Sequence, residues 1–296
     1  MKKFLKVFPA LILVAAALIA GIRLMPGPES GENVSAAGAA SSVELKVHYI
    51  DVGQGDAIFI ELPDGKTMLI DAGEREYGDT VTAYIKKLGR SQIDYLVATH
   101  PHSDHIGGMA QVIRSFHTDR LYMPDADTDT QTYEEFLSAV KHAGLEVVTA
   151  KAGVCLFNQN GLSAFILAPN GDSYEDLNNY STVIRLCYGS ISFLFMGDAE
   201  ELSEKEIKAE VASDVLKVGH HGSASSTGEA FLKKVSPKFA VISVGAGNDY
   251  GHPAASTLKK LHESGAKIYR TDLNGNIVIT TDGKNIRVSA EKGGAS

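Results

Sequence analysis

Apolar runs broken at short intervals by Gly, Asp and Pro divide the chain beyond residue 43 into short strands and amphipathic helices. Residues 43–50 alternate and read as a strand, 51–56 (Asp-Val-Gly-Gln-Gly-Asp) as a tight turn, and 57–62 as a second strand. A Pro-Asp-Gly-Lys turn at 63–66 sends the chain into a third strand, 67–70, which ends in Asp71-Ala72-Gly73. A helix over 80–88, capped by Asp79 and stopped by Gly89, leads to the apolar run 93–98. The pattern then predicts a helix over 109–116, a strand over 119–123, a polar loop over 125–132, a helix over 133–143 and short strands at 146–150, 156–157 and 164–167.

At this point the early unit returns in outline. Residues 181–186 form a strand, 188–190 a turn, and 191–196 a strand that finishes in Gly197-Asp198-Ala199. Strand, turn, strand and terminal aspartate thus occur twice, which points to two similar halves. The remainder predicts a helix over 201–211, strands at 215–218 and 239–244, a helix over 254–264, and a closing hairpin of 267–271 with 276–280.

The candidate chemistry sits where strands end. The run 93–98 hands over to Thr99-His100-Pro101-His102-Ser103-Asp104-His105-Ile106-Gly107-Gly108. His100 and His102 are two apart and share one side of an extended chain, whereas Asp104 and His105 follow where the chain turns toward a helix. One metal can take the first pair and a second metal the next. Imidazole and carboxylate suit zinc, and also manganese or iron when more oxygens contribute. The strand 191–196 is apolar enough to be central, so Asp198 at its end is a buried carboxylate, costly unless paired or metal-bound. Strand 215–218 runs into Gly219-His220-His221-Gly222-Ser223. Of this pair His220, nearer the strand end, is the expected ligand beside Asp104 and His105, with His221 behind it or against substrate.

The motif His-x-His-x-Asp-His-x-Gly-Gly after a strand resembles the signature of the metallo-β-lactamase superfamily. Residues 51–56, 216–223 and 248–253 further resemble the hydrolase domain of ComEC-type competence and DNA-uptake proteins, over about 43–280. The resemblance implies an α/β fold, a four-layer αββα sandwich of two similar halves with two divalent ions at one edge, zinc first and manganese second. His100, His102 and Asp198 would hold one ion, and Asp104, His105, Asp198 and His220 the other, with Asp198 bridging. Asp71 and Asp56, at strand ends, would orient ligand imidazoles. One departure from the superfamily pattern is a missing histidine: between His105 and Asp198 stand only His117 and His142, both within expected helices. Asn178, Asn179 and Ser181 occupy that region, and Asn178 and Ser181 are the candidates to complete the first site. Asp104 and His252 are the expected catalytic groups. His252 would hold a substrate oxygen or protonate a leaving group, or is simply packed beside Pro253. Ser223, Asn248 and Tyr250 are the expected substrate contacts.

Composition narrows the setting. A net charge of −8 gives no general attraction for nucleic acid, so a polyanion needs the metals or a local basic patch. Lys86, Lys87 and Arg90, then Lys233, Lys234 and Lys238, then Lys259 and Lys260 offer such patches, or are helix faces in water. Cys155 and Cys187 are too few for a disulfide scaffold. Lys2, Lys3 and Lys6 precede an uncharged run at 7–22, so 1–25 reads as a secretory leader or retained membrane anchor and 26–42 as a linker. A hydrolase domain over 43–296 would then lie outside the cell or on its surface. Three functions fit: a phosphodiesterase or nuclease acting on DNA or another phosphodiester through a metal-activated hydroxide; a lactam, lactone or thioester hydrolase; and a non-catalytic metal-containing binding module. No protein partner is indicated.

Overall fold

The computed structural model describes residues 43–294, so the expected leader and linker lie outside the described residues. In chain order the strands are β1 (Leu45–Tyr49), β2 (Ile58–Glu61), β3 (Thr67–Ile70), β4 (Gln92–Val97), β5 (His117–Met123), β6 (Glu146–Thr149), β7 (Cys155–Gln159) and β8 (Leu162–Ala168). They continue as β9 (Val183–Tyr188), β10 (Ile191–Phe195), β11 (Val215–Lys217), β12 (Phe239–Ile242), β13 (Lys267–Arg270), β14 (Ile277–Thr281) and β15 (Ile286–Ala290). One sheet runs β15-β14-β1-β2-β3-β4-β5-β6 and the other β13-β12-β11-β10-β9-β8-β7.

Apart from β15, the two sheets repeat strand for strand. β1, β2 and β3 are antiparallel and β4 to β6 continue parallel to β3. Likewise β8, β9 and β10 are antiparallel and β11 to β13 continue parallel to β10. Alternation along each strand builds three cores. Tyr49, Ile60, Met68, Ile184, Phe193 and Phe195 fill the space between the sheets. The opposite faces carry Phe59, Leu69 and Leu96 against the helices Gly78–Lys87, Met109–Ser115 and Gln131–Ala143, and Leu194, Leu216 and Ala240 against Glu229–Val235 and Ala255–Glu263. The result is the expected αββα sandwich. Among the described residues no helix is long and apolar enough to cross a membrane.

Several local expectations are corrected. The helix expected over 201–211 stops at Glu206, because Ile207 turns extended and it and Val211 reach into the outer core. Asp79 lies inside a helix that begins at Gly78 rather than capping it. β13 and β14 do not form a hairpin: β13 pairs with β12, β14 pairs with β1, and a helical turn, Thr271–Asn274, carries the chain between the sheets. β15, with no forecast in the pattern, then pairs with β14. His117 opens β5 instead of lying in a helix.

Candidate metal centre

Parallel strands β3 and β4 in one sheet, and β10 and β11 in the other, deliver their C-terminal ends to one edge of the sandwich, where open α/β sheets present ligand sites. Residues 99–108 leave β4 and enter a single helical turn, Ser103–Ile106, entered through His102. The following turn packs so closely that a Cβ on Gly108 would lie 2.3 Å from the Ala72 carbonyl oxygen, which only glycine permits.

His105 is fully buried, and its Nδ1 lies 2.8 Å from Asp71 Oδ2. Asp71 also accepts from Thr99 N (2.8 Å) and Thr99 Oγ1 (2.6 Å), so the carboxylate is braced behind the ring, and burial raises its pKa against the pull of His105. The Nε2 of His105 therefore faces outward, 3.3 Å from Asp198 Oδ1 and 3.7 Å from Asp104 Oδ2. His221 repeats the arrangement: Nδ1 donates to the Ser243 carbonyl at 2.9 Å, leaving Nε2 at 3.1 Å from Asp104 Oδ2 and 3.4 Å from Asp198 Oδ2. One ligand atom each from Asp104, His105, Asp198 and His221 lie within 4.8 Å of one another. His105 Nε2 and Asp198 Oδ1 are buried yet make no hydrogen bond. Imidazoles with Nδ1 tied back and Nε2 converging on carboxylates, with orphaned polar atoms at the focus, are the donor set of a divalent cation, and the residues fit one.

The metallo-β-lactamase superfamily profile matches residues 50–246. The chain belongs to this superfamily. It is 33% identical over 256 residues to ComE operon protein 3 of Bacillus subtilis, covering 80% of this chain and 33% of that protein. It is 29% identical over 240 residues to Recombination protein 2 of Haemophilus influenzae, covering 79% of this chain and 28% of that protein. The chain thus spans about a third of the length of the curated relatives it matches. Among solved structures, the metallo-β-lactamase fold protein YhfI from Bacillus subtilis superposes with a TM-score of 0.55 at 15% identity, over 80% of this chain and all of that one, and shows the same fold. Family and donor set together support a metal-dependent hydrolase with divalent metal ions.

In this metallo-β-lactamase centre His100 and His102 stand beside that group, the His100 ring 4.2 Å from that of His105, centre to centre. His100 Nε2 is 2.9 Å from His102 Nδ1 and 3.9 Å from Asp198 Oδ2. Ser181 Oγ accepts from Asp198 N at 3.0 Å and lies 3.4 Å from His100 Nδ1. Asn178 lines the cleft with a buried Oδ1 that makes no hydrogen bond, while Asn179 turns away to accept from Ser203 N.

It is His221, not the expected His220, that the fold sets against Asp104 and His105. His220 and His221 are consecutive left-handed residues (φ 47° and 51°), and this turn throws the first ring outward and the second inward. His220 Nδ1 lies 3.2 Å from Glu200 Oε1, and Nε2 is 3.7 Å from Asp198 Oδ2. Asn248 is corrected as a substrate contact, since its amide is consumed by the Gly245 and His252 carbonyls and its Oδ1 by His252 N. Ser223 is nearly buried and faces Ser225 Oγ at 2.8 Å, within a chain of contacts to Glu200. His252 stands 5.4 Å from His220, ring centre to ring centre, and Tyr250, 71% exposed, stacks on it at the cleft mouth. The pattern missed Thr99, Ser243 and Lys217; the signal for Lys217 was a lysine inside an apolar strand.

The centre opens into a cleft of about 460 Å³ with Gln54, Thr130, Thr132 and Tyr250 in its wall and no Lys or Arg among its lining residues. A larger depression of about 650 Å³, between Lys66, Phe116 and Glu146, holds none of the centre. The basic clusters are elsewhere: Arg90 pairs with Glu61 and Lys238 with Asp214, while Lys233 and Lys260 line a separate hollow.

The buried carboxylates and imidazoles of the centre shift one another. Burial opposes a charge on His221, yet Asp198 and Asp104 push its pKa up to about 10. Against the same burial, Asp198, Asp104 and Asp71 raise His105 well above its ordinary value. Burial would favour protonated Asp104 and Asp198, but His105 and His221 hold both below the usual carboxylate range. His100 is lowered by burial and by His105. The surrounding carboxylates thus favour positive charge at both rings, the electrostatic demand that a bound cation would meet.

Proposed function

We propose that this domain is a dinuclear metal-dependent phosphodiesterase, cleaving DNA or another phosphodiester. The observation that carries the reading is the convergence of Asp104, His105, Asp198 and His221, with His100 Nε2 3.9 Å from the same Asp198 and His102 against His100. Asp104, His105, Asp198 and His221 would hold one ion. His100, His102 and Asp198 would hold the other, with Asn178 and Ser181 beside it; zinc is the first choice and manganese the second. Such a pair, when bound, supplies an activated water near neutral pH and positive charge at a phosphoryl oxygen. Asp71 and Ser243 fix which nitrogen each imidazole presents. His252, whose pKa burial and His220 lower, stands at the cleft wall to hold a substrate oxygen, and Tyr250 offers a ring face beside it. The relative named for recombination favours a nucleic-acid phosphodiester. With no Lys or Arg in the cleft wall, the ions themselves would attract the phosphate. The basic leader-like segment supports a domain outside the cytoplasm, released or anchored.

The test is hydrolysis of bis-p-nitrophenyl phosphate, plasmid and single-stranded DNA by the purified chain, loaded with zinc and then manganese. Metal-dependent cleavage, reduced more than about 100-fold in Asp104→Ala, is expected. Nitrocefin or lactone turnover in place of phosphodiester cleavage would move the assignment to carbon-centred bonds, and bound metal with no turnover would leave a binding module.

A further inference from the structure

Beneath the centre lies a charge that the ligand set does not require. Lys217, the last residue of β11, is 0% exposed, and its Nζ is 2.7 Å from Asp56 Oδ2 and donates to the Val218 carbonyl at 3.0 Å. Asp56, 1% exposed, comes from the opposite half, in the turn between β1 and β2. Its N–H donates to the Asp104 carbonyl at 3.1 Å and its own carbonyl accepts from Gly73 N at 2.8 Å, so it joins the loops that carry Asp104 and Asp71. Its second oxygen, Oδ1, makes no hydrogen bond and lies 3.5 Å from His221 Nδ1.

A buried ammonium loses several kcal/mol of solvation, and an ion pair that recovers this stabilises a fold no better than apolar groups of the same volume. The fold itself does not ask for lysine here: in the first half the equivalent position is Val97, which pairs with Ile70 as Lys217 pairs with Phe195. What distinguishes the second half is the free carboxylate beside it. Asp56, Asp71 and His105 form a second group with ligand atoms within 4.8 Å of one another, directly behind the first. Left unpaired, Asp56 would make that inner group a rival place for a cation, at the expense of the imidazole that His105 must present outward.

We propose that Lys217 is a positioning residue of the metal centre: by occupying Asp56 it closes the inner Asp56–Asp71–His105 group to metal and keeps Asp56 as a brace behind His221. With Lys217 on one oxygen and the His221 edge at the other, Asp56 has one orientation. His221 Nδ1 is then flanked by the Ser243 carbonyl and Asp56, and Nε2 alone meets Asp104 and Asp198.

This rests on the reading that Asp104, His105, Asp198 and His221 hold a divalent ion, and cobalt(II) binding to the full chain separates the two. Wild-type protein should bind cobalt with a defined d–d absorption band; if it binds none, the metal-centre reading fails. Lys217→Met should bind at the centre about 10-fold more weakly, with a changed band and extra metal per chain. The double variant Lys217→Met/Asp56→Asn, a neutral pair of similar shape, should return affinity to within about threefold of wild type, with the original stoichiometry. That recovery also decides the matter if the single variant fails to fold. A Lys217→Met protein with wild-type affinity, band and stoichiometry, or a folded double variant still weakened 10-fold or more, overturns the inference while leaving the centre intact.

Discussion

Asp71 and Asp198 end equivalent strands in the two halves, yet one never meets the cleft and the other faces it. The cause is an offset along the chain. β3 and β10 both end on the residue that pairs with the last residue of the parallel neighbour, Ile70 with Val97 and Phe195 with Lys217. Asp71 follows Ile70 at once, in a left-handed conformation (φ 57°), and stays behind His105. Asp198 comes after two further residues, Met196 and Gly197, and clears the sheet edge to reach His100, His105 and His221. One topology thus gives an orienting carboxylate or a ligand according to how far past the strand it falls. The same contrast holds between Val97 and Lys217, identical in register and opposite in chemistry.

Removing each carboxylate tests this contrast most strongly. Asp198→Ala should abolish binding of both ions, with metal content per chain falling to background and hydrolysis down by more than about 100-fold. Asp71→Asn should do less, because an amide replaces one of two oxygens that accept from Thr99 N, Thr99 Oγ1 and His105 Nδ1. A 10- to 100-fold loss of metal affinity with the fold retained is expected, measured by competition with a chromophoric chelator. Equal losses in the two variants would erase the distinction between the halves.

The smallest expected effect concerns pH. In chelated protein His105 and His221 are raised, His221 to about 10, above the ordinary value near 6.5 of an unfolded chain. The stabilisation they contribute is therefore complete below about pH 6.5 and is lost as pH rises through the folded values. Thermal melts with chelator should fall by a few degrees between pH 7 and 9.5. Metal-loaded protein should show the opposite trend in its gain over the chelated form, because ligation needs deprotonated rings.

Much of this centre was legible in the chain because strand ends are legible. The apolar run before His100 and the one before Asp198 both stop where the sheets stop, and the third strand, 67–70, coincides with β3. Choosing between His220 and His221 was beyond it: nearness to the strand end says nothing about where a ring points once two successive residues turn left-handed. Pairing across the sandwich was equally hidden. β13 and β14 are neighbours in sequence and read as a hairpin, but each has its hydrogen-bonding partner in a different sheet. Basic residues on helices suggested a track for a polyanion, and only three-dimensional placement shows Arg90 and Lys238 committed to Glu61 and Asp214.

Asp104 and His221 meet across 117 positions of sequence, one arriving from each sheet. An unfolded chain would have to close a loop of that length to present both, so it offers a cation no preformed grip. Metal uptake would therefore follow docking of the sheets and draw the equilibrium toward the native state. Its effect on the melting temperature would grow with the logarithm of free metal concentration, making the ion a buffer against unfolding as well as a reagent.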